Sequence, residues 1–408
     1  MINQGLFLAI LAAFCMTGSI YADTGSYSCS TSTSPFAGYN ASACQAKSLL
    51  NYGGHLESGF LANQYGQKNS YTTRSLANGR LGIDPLSGNT MLLQNTAQSD
   101  LQLNQAMFYV EKLRRKCGWD WGARVDYIYG TDARFWQSEG LERNASHGDW
   151  GSGDYYSALS QMYAELGCGN FSVKVGKFGA PSGSDAMYSP DRFFYSLSKN
   201  TGLLPVTHTG ALAQWISGDT TYHVGWTQGT NRFFETSEDN ALIFGFERKL
   251  DACTSFGYSG HWGRDTYNTE ADYYTHVLYV NRKLGCRWDY RFDWAINNRE
   301  FDNGDSATAY GINNSLYYKL SCDWSVGFRA EWLHTNNYGI GAFGADGSDM
   351  YGFVLGANWK PCDWFVLRPE IRHDSVHGDP GPFNIVKGNQ VPGRSGQLAG
   401  GVSAIVIF

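Results

Sequence analysis

The residues best placed to act on a solute are charged and recur at every second position. From Arg287 the chain runs Arg287, Trp288, Asp289, Tyr290, Arg291, Phe292, Asp293, Trp294. Successive side chains of an extended strand point to opposite faces, so one face carries Arg287, Asp289, Arg291 and Asp293 and the other only aromatic rings. The stretch from Asp323 to Trp332 repeats this, with Arg329 and Glu331 opposing Phe328 and Trp332. Arg124 with Asp126, Lys174, and Arg368 with Glu370 and Arg372 share the non-aromatic parity of their strands, the last three after a register change beyond Asp363. Rows of opposite charge across a narrow aqueous space set a transverse field, which favours small polar solutes over apolar ones. The same rows also read as a solvated face whose charges pair with strand neighbours. In a closed sheet both readings can hold.

Other chemistry finds little support. The chain has no Gly-x-Ser-x-Gly elbow, no His-Glu-x-x-His and no Gly-Lys-Ser/Thr phosphate loop, so no catalytic residues are assigned and no enzyme is expected. Asp302 to Asp305 and Asp346 to Asp349 lack the full ligand spacing of a calcium loop and read as loop tips. No Cys-x-x-Cys and no His at ligand spacing accompany the cysteines, so no metal and no cofactor are expected. A net charge of -6 argues against a nucleic-acid partner, which needs a basic face.

The strands that must position those charges follow from the whole chain. Leu6 to Met16 is apolar and uncharged, too short to span as a helix, and Ser19 to Ala22 ends in small residues. Residues 1–22 therefore read as an export signal cleaved after Ala22, although no Lys or Arg precedes the apolar run. Cys15 would suit a lipoprotein signal, but Phe14 is bulky where that signal wants a small residue. After Ala22 no apolar run approaches the length of a spanning helix, while 26 Tyr, 23 Phe and 13 Trp alternate with polar residues. A soluble sandwich or propeller alternates in the same way. Two details favour a membrane barrel: aromatic residues crowd the strand ends, and tight turns alternate with long Gly/Asn/Asp/Ser-rich loops. The expectation is an all-β, transmembrane antiparallel β-barrel of about sixteen strands over residues 51–408, with short periplasmic turns and long external loops, preceded by a periplasmic segment, residues 23–50.

Six cysteines, Cys117, Cys168, Cys253, Cys286, Cys322 and Cys362, fall at the tight turns. Adjacent hairpin turns lie roughly 9.6 Å apart, beyond the 7 Å or so that a disulfide tolerates. These thiols are expected to be free, at the lipid edge, or bonded to something outside the turns. Cys29 and Cys44 have no such obstacle and are the preferred disulfide. The loop from Ala180 to Thr207, third on the long-loop side, carries Asp185, Asp191, Arg192, Tyr195 and Lys199, with His208 at its end. Folded inward it would constrict the lumen; the alternative is packing on a neighbouring subunit. Val402, Ala404, Val406 and Phe408 alternate up to a terminal aromatic, an edge suited to pairing with the barrel assembly machinery.

The stretch KLSCDWSVGFRAEW, then GANWKPCDWFVLRPEIRHDS and Pro382-Phe383, resembles the C-terminal signature of the BBP2 (OmpL-like) β-barrel porin family, of planctomycete type. VGKFGAP, DRFFYS and PVTHTGALAQW are similar to that family's central segment. The resemblance implies an outer-membrane porin in a Gram-negative-type envelope, passing small polar solutes passively in contact with outer-membrane lipid. Porins of this size commonly form trimers, so a homo-oligomer is expected. The alternative function is a structural or adhesive barrel that builds a homo-oligomeric surface array through its loops and N-terminal segment.

Overall fold

The computed structural model describes residues 50–65, 100–144, 148–182, 185–234, 239–265, 271–336, 349–377, 383–385 and 392–408. The export signal, residues 23–49, Cys29 and Cys44 lie outside them. Sixteen antiparallel strands form one closed barrel. They are β1 Leu50–Asn63, β2 Gln102–Lys112, β3 Trp119–Gly130, β4 Tyr155–Cys168, β5 Phe171–Gly179, β6 Thr207–Ser217, β7 Thr220–Thr227 and β8 Ala241–Lys249, then β9 Thr254–Asp265, β10 Ala271–Leu284, β11 Trp288–Phe301, β12 Ser306–Lys319, β13 Trp324–Asn336, β14 Asp349–Cys362, β15 Phe365–His377 and β16 Gly396–Ile407. Each pairs with the next in sequence, and β16 returns to β1 from His55↔Ile407 to Asn63↔Ala399. Phe408 and Gly54 exchange backbone hydrogen bonds at 2.8 and 3.0 Å across that seam. Closure leaves no strand edge to be satisfied by water, which a bilayer cannot supply.

The connections after the odd-numbered strands lie on one rim, which carries the long loops, except that Asp302–Asp305 joins β11 to β12 in four residues, shorter than the long external loops expected there. The connections after the even-numbered strands are all tight turns on the other rim. Two of them, Gly169-Asn170 and Gly218-Asp219, are two-residue hairpins whose first residue has φ of 54° and 56°. Glycine reaches that left-handed region without a Cβ clash, and it matches the strand twist. The six turn cysteines all fall on this rim. Cys168, Cys253, Cys286, Cys322 and Cys362 carry free thiols. Cys117 is disulfide-bonded, the expected alternative of a bond to something outside the turns. The spacing argument still holds, since none of the other five turn cysteines is its partner.

Burial is inverted relative to a water-soluble fold. Outward Trp121, Val175, Trp226 and Leu355 are all more than half exposed. Aromatic pairs across strands mark both ends of the wall: Trp288–Tyr318 and Trp324–Trp359 near the short turns, Trp262–Tyr274 near the long loops. The buried apolar clusters lie inside the barrel. Phe135, Leu197 and Leu203 from two loops pack there on Val277, Ala295, Ala309, Leu333 and Met350 of the inner wall.

The wall is uneven. β10, β11 and β12 each have 14 residues, whereas β5, β6, β7 and β8 have 9, 11, 8 and 9. At the long-loop end of this short arc, segments of the β3–β4 and β7–β8 loops fold over the outer face. Lys177 pairs with outward Met162 yet is fully buried, donating to the Trp136 carbonyl at 2.9 Å and to Glu142 Oε2 at 2.6 Å.

Candidate functional site: an inner collar

Three loop segments meet the inner wall. Residues 131–136, a 3-10 turn of the loop between β3 and β4, pack on Met107, Ile128 and Ala158. The segments 185–192 and 193–206, both from the loop between β5 and β6, run round most of the inner circumference. Length and position single out the second loop in the sequence. Thr131 to Asp154 reads as a long loop from sequence, but the inward entry of its 131–136 segment is not anticipated, because nothing local in Ala133-Arg134-Phe135-Trp136 distinguishes a loop that packs inside from one that projects.

The collar is fastened by inward charges. Arg368 on β15 donates to the carbonyls of Ser189 and Arg192 at 2.9 and 3.0 Å, and pairs with Glu57 on β1. Glu57 also receives Arg192 Nη2 at 3.1 Å and the Ser189 hydroxyl. Two residues up β15, Glu370 accepts from the Ser196 hydroxyl at 2.5 Å and its backbone N–H at 3.2 Å. Arg372 bonds the Ser196 hydroxyl at 2.6 Å, Asp374 at 2.7 Å and Glu331 at 3.3 Å. Arg329 on β13 donates to the carbonyls of Ser196 and Leu197 at 3.0 and 3.1 Å and lies 3.6 Å from Asp185. The Lys199 ammonium reaches Asp374 at 2.5 Å while its N–H reaches Glu331 at 2.8 Å. On β11, Asp293 accepts from Asn200 at 2.5 Å and from Asn313 at 2.9 Å. Tyr195 donates to Asn104 at 2.9 Å. A carboxylate and a guanidinium withdrawn from water need such dense pairing, since either left alone would cost several kcal/mol.

On the opposite wall Asp126 of β3 gathers Arg124 at 2.7 Å, Tyr188 at 2.7 Å and Gln161 at 2.8 Å, and Arg124 also reaches Glu111 at 3.0 Å. Asp132, in the 3-10 turn, accepts from Gln105 at 2.9 Å and lies 3.8 Å from Arg192. Burial pushes its carboxyl up to about 6, with Arg192 pulling the other way.

Asp126, Asp293, Arg329, Glu331, Arg368, Glu370 and Arg372 are thus brought together with Asp185, Arg192, Tyr195 and Lys199. Arg329, Arg368 and Arg372 are each about 1% exposed, so they grip the loop and are not free charges bathed in lumen water. Other sequence-selected residues stand apart. Arg287 and Asp289 are exposed on the short-turn rim; Arg291 is half-buried over the Tyr317 ring at 5.4 Å and Lys174 over Tyr163 at 4.6 Å. Asp191 is exposed, and His208 belongs to β6, buried against Gly229 and stacked on His261 at 5.1 Å. Arg368 faces inward because Phe365, not Trp364, begins the outward series; the register irregularity lies between Trp359 and Cys362. Sequence reasoning missed Glu57, Asn104, Asp132, Ser196, Asn200 and Asp374. Only Asp374 had a signal, as the next member of the alternation Arg368, Glu370, Arg372.

The family model for beta-barrel porin-2, OmpL-like (BBP2), matches residues 50–408. Among curated proteins none matches the chain in sequence. Solved structures similar in fold include a loop L8 deletion mutant of OmpT, an outer membrane protein of Vibrio cholerae, with TM-score 0.56 and 12% identity, covering 88% of this chain and 99% of that one. The outer membrane channel DcaP of Acinetobacter baumannii has TM-score 0.55 and 11% identity, covering 88% and 97%. An anion-selective porin from Comamonas acidovorans has TM-score 0.57 and 8% identity, covering 88% and 99%.

Proposed function

Because the chain belongs to the BBP2 family of OmpL-like β-barrel porins of the outer membrane, we propose that it passes small polar solutes passively, with the loop between β5 and β6 as its size-limiting element. The observation that carries this reading is the fastening of that loop to β1, β11, β13 and β15 by buried charges. A loop held from so many sides keeps one path, so the space it leaves is a fixed sieve and not a gate. Its exposed Asp191 and half-exposed Tyr188 and Phe193 are the side chains a passing solute would meet. Purified protein in a planar bilayer should give discrete conductance steps. Folded, inserted protein that stays silent would overturn the proposal.

The reading includes a homo-oligomer, with a trimer favoured; one similar OmpT structure is of a trimer form. Support within this chain comes from the short arc. Met162, Val175, Thr209 and Phe234 line an outward apolar groove there, and Phe234 is 69% exposed with φ of 53°. Cross-linking in intact cells tests it: a monomer alone would remove it.

A further inference from the structure

Among the described residues, the two ends of the barrel differ in charge. The hairpin β10–β11 shows it most simply. At its external end stand Asp272 and Glu300, with Asp302 and Asp305 in the next turn, against Arg299 on the same hairpin; Arg264 of the neighbouring β9 pairs with Asp272 at 3.3 Å and Asp302 at 2.5 Å. At its periplasmic end Arg282, Lys283, Arg287 and Arg291 oppose Asp289 alone. The lumen side follows suit. By strand alternation Lys249, Lys283, Arg287, Arg291, Lys319 and Lys360 point to the lumen at the periplasmic end of β8 to β14. Glu247 and Asp289 share that side, and Asp251, Asp323 and Asp363 hang on the turns beyond it. Lys249, Arg287, Arg291 and Lys319 make no ion pair among the described residues; Arg287 donates to the Tyr318 hydroxyl at 3.3 Å instead.

At the collar the balance reverses. Arg124, Arg134, Arg192, Lys199, Arg329, Arg368 and Arg372 are outnumbered by Glu57, Glu111, Asp126, Asp132, Asp185, Asp293, Glu331, Glu370 and Asp374. Exposed Asp191 adds to that excess.

We infer that the lumen carries two fixed-charge zones in series, negative at the collar and positive at the periplasmic mouth, and that it therefore rectifies ion flow. This rests on the porin reading. A negative zone admits cations and a positive zone admits anions. When the external side is positive, cations enter through the collar while anions enter through the periplasmic mouth, and both accumulate between the zones. When the external side is negative, both species are drawn out of the middle, which is then depleted. Conductance is higher in the first case.

The test is a current–voltage curve for the whole protein in a planar bilayer in 0.1 M KCl. Orientation is read from the exposed Cys286 and Cys322, which an impermeant maleimide labels from the periplasmic chamber only. Current with the external side positive should exceed the reverse current by about 1.5-fold, and the asymmetry should vanish in 1 M KCl, where the screening length falls to about 3 Å. On the same wild-type channel a sulfonate-bearing thiol reagent should reduce the asymmetry and a trimethylammonium-bearing one increase it. The variant Lys283→Glu/Arg287→Glu/Lys319→Glu should abolish or reverse it. A symmetric curve, or larger current with the external side negative, would overturn rectification while leaving the porin reading in place. A silent bilayer would overturn both.

Discussion

The collar and the periplasmic mouth draw their charges from the same or adjoining strands and put them to opposite use. On β11, Asp293 is buried and bonded to two amides, while Asp289, four residues away, is exposed. On β13, Arg329 is sealed under the loop, whereas Lys319, across the turn, projects freely. Height along the strand, and not residue type, decides whether a charge is structural or electrostatic. At the collar a charge loses its water and must be paired. At the mouth it keeps its water and acts only through its field.

Substitutions sharpen the contrast. Arg372→Ala should be the most damaging, leaving Asp374 and Glu331 short of a cation in a dry site and costing about 4 kcal/mol. Urea unfolding of the detergent-folded barrel measures it, and a loss below ~1 kcal/mol would erase the distinction drawn between the two levels. Lys177→Met leaves Glu142 buried and unbalanced on the outer face, for about 3 kcal/mol. Adding Glu142→Gln should recover much of that, and simple additivity in the double variant would show that the pair is not coupled.

A smaller effect is expected from Asp132. Its folded-state carboxyl is raised to about 6, so the folded barrel binds the proton more tightly than the unfolded chain. Its stabilising contribution is full below pH ~4 and is lost as pH rises through about 6. Stability of the wild type relative to Asp132→Asn should therefore decline from pH 4 to 7. A pH-independent difference between the two proteins would refute the burial argument. At the bottom of the scale, Arg287→Gln and Lys319→Gln should leave the unfolding midpoint unmoved and alter only the current asymmetry; a stability loss there would place the mouth charges with the collar.

The sheet was legible because it repeats a period of two sixteen times, and the lipid face repeats aromatic residues in phase with it. Strand number, turn side and the length of the inward loop follow from local pattern. The locks do not. Glu57 is one acid in LNYGGHLESGFLAN, and nothing local says that Arg368, some three hundred residues on, will meet it. That meeting depends on the barrel closing. Parity also fails at strand ends: adjacent Trp364 and Phe365 offer two frames, and only the pairing of Phe365 with Cys362 and Val406 chooses between them.

The seam between β1 and β16 has a consequence for assembly. Its two strands stand at opposite ends of the barrel sequence, so bringing them together costs on the order of 5 kcal/mol in chain entropy. No earlier pairing rewards that cost, and until it is met both strands present unpaired amides that lipid cannot solvate. Arg368 and Glu57 come together only when β16 sits between their strands. That fastening of the collar can therefore form only after the ring is shut, whereas its ties to β11, β13 and β15 need no closure, so the sieve is completed at the seam.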